Sequence, residues 1–220
     1  MDNDDLAYLS ATDLLVAYRR KQLSPLDVTR ATLDRIDRLN PKLNAFVLVD
    51  HASALRDARL SEDRWQRGAP VGPLDGVPVS IKDLTDVAGV RTTYGSPLFR
   101  DHVPQASHPV VRRIEARGGI VVAKSNTPEF GAGGSTFNEV FGRTRNPWNT
   151  ALTCGGSTGG GAVSVATGEV WLAQGTDHAG SLRRPGTYCS VVGLRPSPGR
   201  VTRGTVNNLF ATLSVQGPMA

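Results

Sequence analysis

Gly175-Thr-Asp-His-Ala-Gly-Ser181-Leu-Arg183-Arg-Pro185 is the stretch on which the reading of this chain turns. It places a serine in a glycine-bearing turn directly after the apolar run Val170-Trp-Leu-Ala173. A second serine lies upstream in Gly155-Gly-Ser157-Thr-Gly159-Gly-Gly161, and a lysine ends the apolar segment Asp75-Gly-Val-Pro-Val-Ser-Ile-Lys82-Asp83. A serine hydroxyl is a poor nucleophile until a base takes its proton. The base is a histidine in most serine hydrolases, but the one histidine after these loops is His178, beside Asp177, and side chains at consecutive positions diverge. A lysine serves instead if it is neutral, and burial in apolar surroundings lowers its pKa for that role. Lys82, at the end of a short buried strand, fits such a setting.

The glycines have their own reason. A loop that turns several backbone N–H groups toward one oxygen needs unusual dihedrals and close approach, and glycine permits both. His178-Ala-Gly180-Ser181 is the candidate oxyanion hole. Ser157, in its glycine nest, is placed to relay a proton between Ser181 and Lys82.

Outward from these motifs the chain divides in two. Residues 1–67 read as helical. Ser10-Ala-Thr-Asp13 has the form of a capping box, and Ser24-Pro25 a cap followed by proline at the first helical position. Leu26, Thr29, Leu33, Ile36 and Leu39 recur at helical spacing, with Asn40-Pro41 ending that helix. A third helix is predicted from Asp50 to Arg67. After Gly68–Pro73 the texture changes. Val77–Ile81, Ile120–Ala123 and Val170–Ala173 read as strands, with a helix over His108–Arg117 stopped by Gly118-Gly119. Strands alternating with helices predict an α/β fold, a mixed sheet covered by helices on both faces, with the chemistry at strand ends. Residues 126–160 read as one long functional loop. Ser214–Ala220 shows no terminal helix or tail.

Composition narrows the function. The net charge is +5 and the basic residues are scattered in short clusters such as Arg19-Arg20-Lys21, without interleaved aromatics, so no nucleic acid is expected as a direct partner. A charged content of 20% with 39% hydrophobic residues argues for a packed core rather than disorder. No run of about 18 apolar residues occurs, so no membrane span is expected. The acidic Met1-Asp-Asn-Asp-Asp5 has no secretory leader pattern. Cys154 and Cys189 belong to no CxxC, and the histidines have no metal spacing, so the expectation is a cytoplasmic protein with reduced cysteines and neither metal nor cofactor. His51, His102 and His108 read as surface or helix-start residues, and Trp65, Trp148 and Trp171 as packing residues. Gly155-Gly-Ser157-Thr-Gly159 also matches a nucleophile elbow, but no acid and then histidine follow it, and the preceding segment is not a strand. The GxxxxGK[ST] spacing is absent, which removes a P-loop.

The set Gly76-Val-Pro-x-x-Ile-Lys82-Asp83, Gly155-Gly-Ser157-Thr-Gly-Gly160 and Gly175-x-Asp177-x-x-Gly180-Ser181-Leu-Arg183 resembles the amidase signature family. Asn126-Thr-Pro-Glu129 and Thr144-Arg-Asn-Pro147-Trp are secondary matches. The resemblance implies a single amidase-like domain over 1–220, with a helical part to 67 and a catalytic core part from 68, corresponding to the N-terminal half of a longer domain. It implies hydrolysis of a carboxylic amide through an acyl-enzyme, with Ser181 as nucleophile, Ser157 as bridging serine on a cis peptide and Lys82 as base. The backbone N–H groups of His178, Ala179, Gly180 and Ser181 would bind the oxyanion, with Thr158, Asp177 and Arg183 in support. The partner implied is a small-molecule amide, with a homodimer or partner subunit left open. Three departures stand out: Thr158 replaces a serine, Ala179 replaces a glycine, and His178 replaces a smaller residue. Alanine is strained if that position needs positive φ. The alternatives are a glutamine-hydrolysing subunit of a tRNA-dependent amidotransferase, a truncated and catalytically silent family member, and a hydrolase of another amide, urea derivative or ester. Arg183 is read as a structural partner of Asp177 or as a contact for a charged substrate. Exposed sheet edges left by a missing half would predict poor solubility.

Overall fold

The computed structural model describes residues 3–204 and 212–220. Its helices are α1 (Asn3–Leu6), α2 (Ala11–Arg19), α3 (Pro25–Leu43), α4 (His51–Gln66), α5 (Pro109–Ala116), α6 (Gly159–Ala166) and α7 (Arg183–Cys189). Its strands are β1 (Phe46–Val49), β2 (Pro78–Lys82), β3 (Ile120–Ser125), β4 (Phe137–Asn138), β5 (Gly142–Arg143), β6 (Leu172–Asp177) and β7 (Val215–Met219). Five strands form a mixed sheet in the order β1-β3-β2-β6-β7. The central strands β3, β2 and β6 run parallel, while β1 and β7 flank them antiparallel. Parallel central strands need cover on both faces. The main core joins α3, α4, α6 and α7 to one face through Ile36, Ala58, Val122, Ala162 and Ala173. A separate cluster seats Val111 of α5 against Ile81 and Val121 on the other. The α/β reading with helices on both faces holds.

Local chemistry explains the early helices. The Ser10 hydroxyl accepts from the Asp13 N–H at 3.1 Å, and the Ser24 hydroxyl accepts from the Leu26 and Asp27 N–H groups. The Asp50 carboxylate caps α4 through the Ser53 N–H. His51 opens α4 and pairs with Asp37, His108 caps α5, and His102 stacks on Tyr94. Trp65 and Trp171 donate to the carbonyls of Asp75 and Leu9. Trp148 is 66% exposed and packs less than expected, although its indole donates to the Cys189 carbonyl.

Three expectations are corrected. Helix α3 does not stop at Asn40-Pro41: it runs to Leu43, and left-handed Asn44 caps it by donating its N–H to the Asn40 carbonyl. Proline in the last turn is tolerated because the bends it imposes fall where the helix ends anyway. The first 67 residues are not all helical, since Phe46–Val49 joins the sheet beside β3. The region read as a long loop holds the β4–β5 pair, and glycine-rich Gly159–Gly161 opens a helix instead of extending the turn. A side chain at Gly160 would collide with the Ala45 carbonyl and the Asn126 backbone, so glycine lets α6 lie directly on the sheet. Ser214–Ala220 contains the strand that pairs with β6. The far side of β7 is itself partly closed by Val192 and Leu194, which form backbone bonds with Ala220 and Pro218.

Asp75 ties the helical layer to the start of β2. Its buried carboxylate accepts from Arg64 at 2.6 and 2.9 Å, from Ser61 at 2.6 Å and from the Val71 N–H at 2.8 Å. Desolvation would raise its pKa, but the Arg64, Ser61 and Val71 bonds outweigh that and hold the carboxyl below the usual range. Removing one partner of a buried pair strands the other. Asp75→Ala is therefore expected to cost about 3 kcal/mol of stability in urea denaturation; a cost below about 1 kcal/mol would contradict this role.

Candidate active site

Strand β2 delivers Lys82 to the centre of the sheet, where the residue is fully buried. Its Nζ lies 2.6 Å from Ser157 Oγ, 3.0 Å from Thr158 Oγ1 and 3.0 Å from Thr176 Oγ1. Burial pushes the Lys82 ammonium well below its ordinary pKa, and the Asp177 carboxylate, pulling the other way, does not offset it. Ser157 stands just before α6, after a cis Gly156–Ser157 peptide. The Thr158 hydroxyl lies 3.3 Å from the Thr176 carbonyl, to which it donates.

Ser181 follows β6 in the turn that leads into α7. Its carbonyl accepts from the Thr158 N–H at 3.1 Å, which joins the two serine loops. Among the described residues its hydroxyl makes no hydrogen bond, so the structure brings Lys82 and Ser157 into contact and tethers Ser181 to them through the main chain. Such a serine contact is often loose without substrate.

Asp177 organises the turn. Its buried carboxylate accepts from the N–H groups of Gly180 at 2.8 Å and Leu182 at 3.2 Å. Arg183 adds a bidentate pair at 3.0 and 3.1 Å, and Arg195 donates to the same carboxylate at 3.1 Å and to the Asp177 carbonyl. Desolvation opposes its ionisation, but the Arg183 and backbone bonds hold the carboxyl well below the usual carboxylate range. Arg183 thus belongs to Asp177.

This arrangement revises the expected oxyanion hole. The Gly180 N–H is committed to Asp177, so it does not stand free for an oxyanion. The N–H groups of His178, Ala179 and Ser181 donate to no protein acceptor among the described residues. The strain foreseen at Ala179 does not arise either: the positive φ of +102° falls on Gly180, and Ala179 is not among the left-handed residues. His178 is exposed and does not crowd the buried lysine.

Sequence reasoning missed Thr176, Gln174 and Arg195. Gln174 Oε1 accepts from the Lys82 N–H at 3.3 Å. Thr176 sits inside the motif, but only the parallel β2–β6 register, with Ile81 beside Gln174, carries it to the lysine. Arg195 is distant in sequence and had no local signal. Cys154 and Cys189 are buried free thiols, and burial raises their pKa to about 11 and about 12. No group of three or more His, Cys, Asp or Glu among the described residues could hold a metal, and no described helix is long and apolar enough to cross a membrane.

The family model for Amidase matches residues 27–220. This chain belongs to the amidase family. It is 40% identical to a glutamyl-tRNA(Gln) amidotransferase subunit of Carboxydothermus hydrogenoformans, over 98% of this chain and 44% of that protein. It is 39% identical to an acylamidase of Rhodococcus erythropolis, over 100% of this chain and 46% of that protein. Among solved structures it superposes on a bacterial aryl acylamidase of the amidase signature family with a TM-score of 0.91 and 34% identity, covering 96% of this chain and 44% of that one. The chain therefore spans less than half the length of these relatives.

The lysine makes a prediction about stability. Its folded pKa is depressed, so the unfolded chain binds this proton more tightly, and stability rises with pH from the folded pKa up to the ordinary value of 10.5. Urea unfolding of the wild type from about pH 7 to about pH 10 is expected to show this rise, and Lys82→Met is expected to flatten it. Parallel pH profiles for the two proteins would contradict a depressed Lys82.

Proposed function

We propose that this chain carries the catalytic serines and base of an amide hydrolase acting through an acyl-enzyme. The observation that carries the reading is the fully buried Lys82 amine at 2.6 Å from Ser157, within a loop bonded to the backbone of Ser181.

Burial favours a neutral base, and the three contacts at Nζ accommodate one. A neutral amine has two hydrogens and one lone pair. The Thr158 proton is committed to the Thr176 carbonyl, so toward Lys82 the Thr158 hydroxyl accepts. In that neutral form Thr176 takes the second hydrogen, and the lone pair faces the Ser157 hydroxyl at the shortest of the three contacts. In the proposed step Ser181 gives its proton to Ser157 as Ser157 passes its own to Lys82. The Ser181 oxygen attacks the carbonyl, and the tetrahedral oxyanion is met by the N–H groups of His178, Ala179 and Ser181. The proton returns to the leaving nitrogen, and water, activated along the same path, releases the acid. Asp177 and Arg183 position the nucleophile turn, and Thr158 and Thr176 aim the amine.

A second reading is favoured by the amidotransferase relative: a glutamine-hydrolysing subunit whose ammonia is used with partner chains. Glutaminase activity together with co-purifying partner chains would select it over a free-standing amidase.

Fluorophosphonate labelling tests both, since each needs an activated Ser181. Label mapped to Ser181 is expected, with loss in Ser181→Ala and Lys82→Ala. Thr176→Val is expected to slow labelling about tenfold, the cost of about one hydrogen bond. A folded chain that takes no label would support the catalytically silent alternative.

A further inference from the structure

Two lysines are buried on neighbouring strands, and the chemistry above uses only Lys82. Lys124 stands beside Ile81 in the β2–β3 register, on the sheet face that α5 covers, while Lys82 points to the face under α6. The Lys124 Nζ lies 3.3 Å from the Asp83 carboxylate and donates to the Thr85 carbonyl at 2.9 Å and to the Thr92 hydroxyl. Both partners of this pair are 1% exposed. Burial lowers the Lys124 ammonium and raises the Asp83 carboxyl, so each charge depends on the other.

From this pair a chain of contacts runs to Ser157. The Asp83 carboxylate accepts from the Thr93 hydroxyl at 2.6 Å and from the Thr93 N–H at 3.1 Å. The Thr93 hydroxyl oxygen accepts in turn from the Gly95 N–H at 3.1 Å. Beside it the Tyr94 carbonyl accepts from the Phe130 N–H at 2.7 Å, and the Gly95 backbone packs on Thr127 and Pro128. These bonds place Gly131. A Cβ there would stand 2.5 Å from Leu84 Cδ1 and 3.5 Å from Ser157 Oγ, so Leu84, Gly131 and the bridging hydroxyl meet at one point. Leu84 is half-buried, while Ser157 and Lys82 are buried.

We propose that Asp83 and Lys124 are a positioning pair for the site: through Thr93 and the Gly95 turn they hold Leu84 and Gly131 over Ser157 and keep water from the Lys82–Ser157 contact. This role rests on Lys82 as the base of the amidase reading above. A buried amine stays neutral only while its surroundings are dry. Alternation along the chain sends Lys82 to one face of the sheet, Asp83 to the other and Leu84 back to the first. Breaking the Asp83–Lys124 pair therefore frees the turn after β2, and the Leu84 cover with it. Of the charged groups around Lys82, Asp177 at the end of β6 acts on it directly. Asp83 and Lys124 lie across the sheet and offset each other, and the turn before α6 brings hydroxyls.

The measurement is an NMR titration of Lys82 in the chain labelled at lysine Cε. The chain has four lysines, so the spectrum is simple and Lys82→Met assigns the signal. In the wild type Lys82 is expected to titrate below the ordinary value of 10.5. Leu84→Ala, Thr93→Val and Lys124→Met are each expected to move that titration upward by about one pH unit or more, about tenfold in proton affinity. Leu14→Ala, which loosens the separate cluster around Tyr18, is expected to leave it in place, as a loss of stability alone would. Thr93→Val cuts the chain of contacts without stranding a charge, and it decides the matter if Lys124→Met does not fold. The proposal is overturned if Lys82 keeps its wild-type titration in Leu84→Ala or in Thr93→Val, or if Leu14→Ala moves it equally. A wild-type Lys82 that titrates at the ordinary value overturns the base reading as well. A low wild-type value that ignores the variants overturns the pair alone.

Discussion

A lysine with no exposed surface, at the end of a central strand, is the constraint on which the site depends. Burial of an ammonium is costly, and the group responds by giving up its proton more readily. That response needs an apolar surround and a set of hydroxyls to complete its hydrogen bonding. β2 supplies the first, flanked by β3 and β6 and covered by α6. Ser157, Thr158 and Thr176 supply the second, from the turn before α6 and the end of β6. Close contact between α6 and the sheet is needed for those hydroxyls to reach, and the glycines that open α6 allow it.

Asp177 plays the complementary part, as a carboxylate held ionised in a buried place. Five N–H donors from two main-chain groups and two arginines compensate its desolvation, and they stitch the end of β6 to the start of α7 and to Arg195. The turn is rigid because opening it would strand a buried charge. The same demand explains why the Gly180 N–H is not free for an oxyanion: a buried anion recruits the nearest donors first.

Much of this was legible from local chemistry. The helix starts at Ser10, Ser24 and Asp50 and the apolar strands read at Val77–Ile81 and Ile120–Ala123 follow from short-range pattern, whereas the grouping of Lys82 with Ser157, 75 residues apart, rests on the chemistry of a lysine base and on the family resemblance. The misreadings share a cause. Phe46–Val49 and Val215–Met219 are short flanking strands whose pairing partners are remote in sequence, β3 for one and β6 for the other. Gly159–Gly161 is poor helix sequence and becomes helix because only glycine lets the backbone lie so close to Ala45 and Asn126. Thr176 and Arg195 reach the site through strand register and a chain return, and neither leaves a local trace.

The sequence by itself determined the kinds of groups present: a lysine after an apolar strand, two serines in glycine-rich turns, an aspartate and arginine beside the second, and a family pattern joining them. Those are properties of residue type and spacing, and they persist however the chain is folded. Tertiary structure decided which N–H groups remain free, which two arginines serve Asp177, and which hydroxyls hold the lysine. Each of those depends on the direction of a bond across elements far apart in the chain, and direction is set only when the sheet is paired and the helices are packed on it.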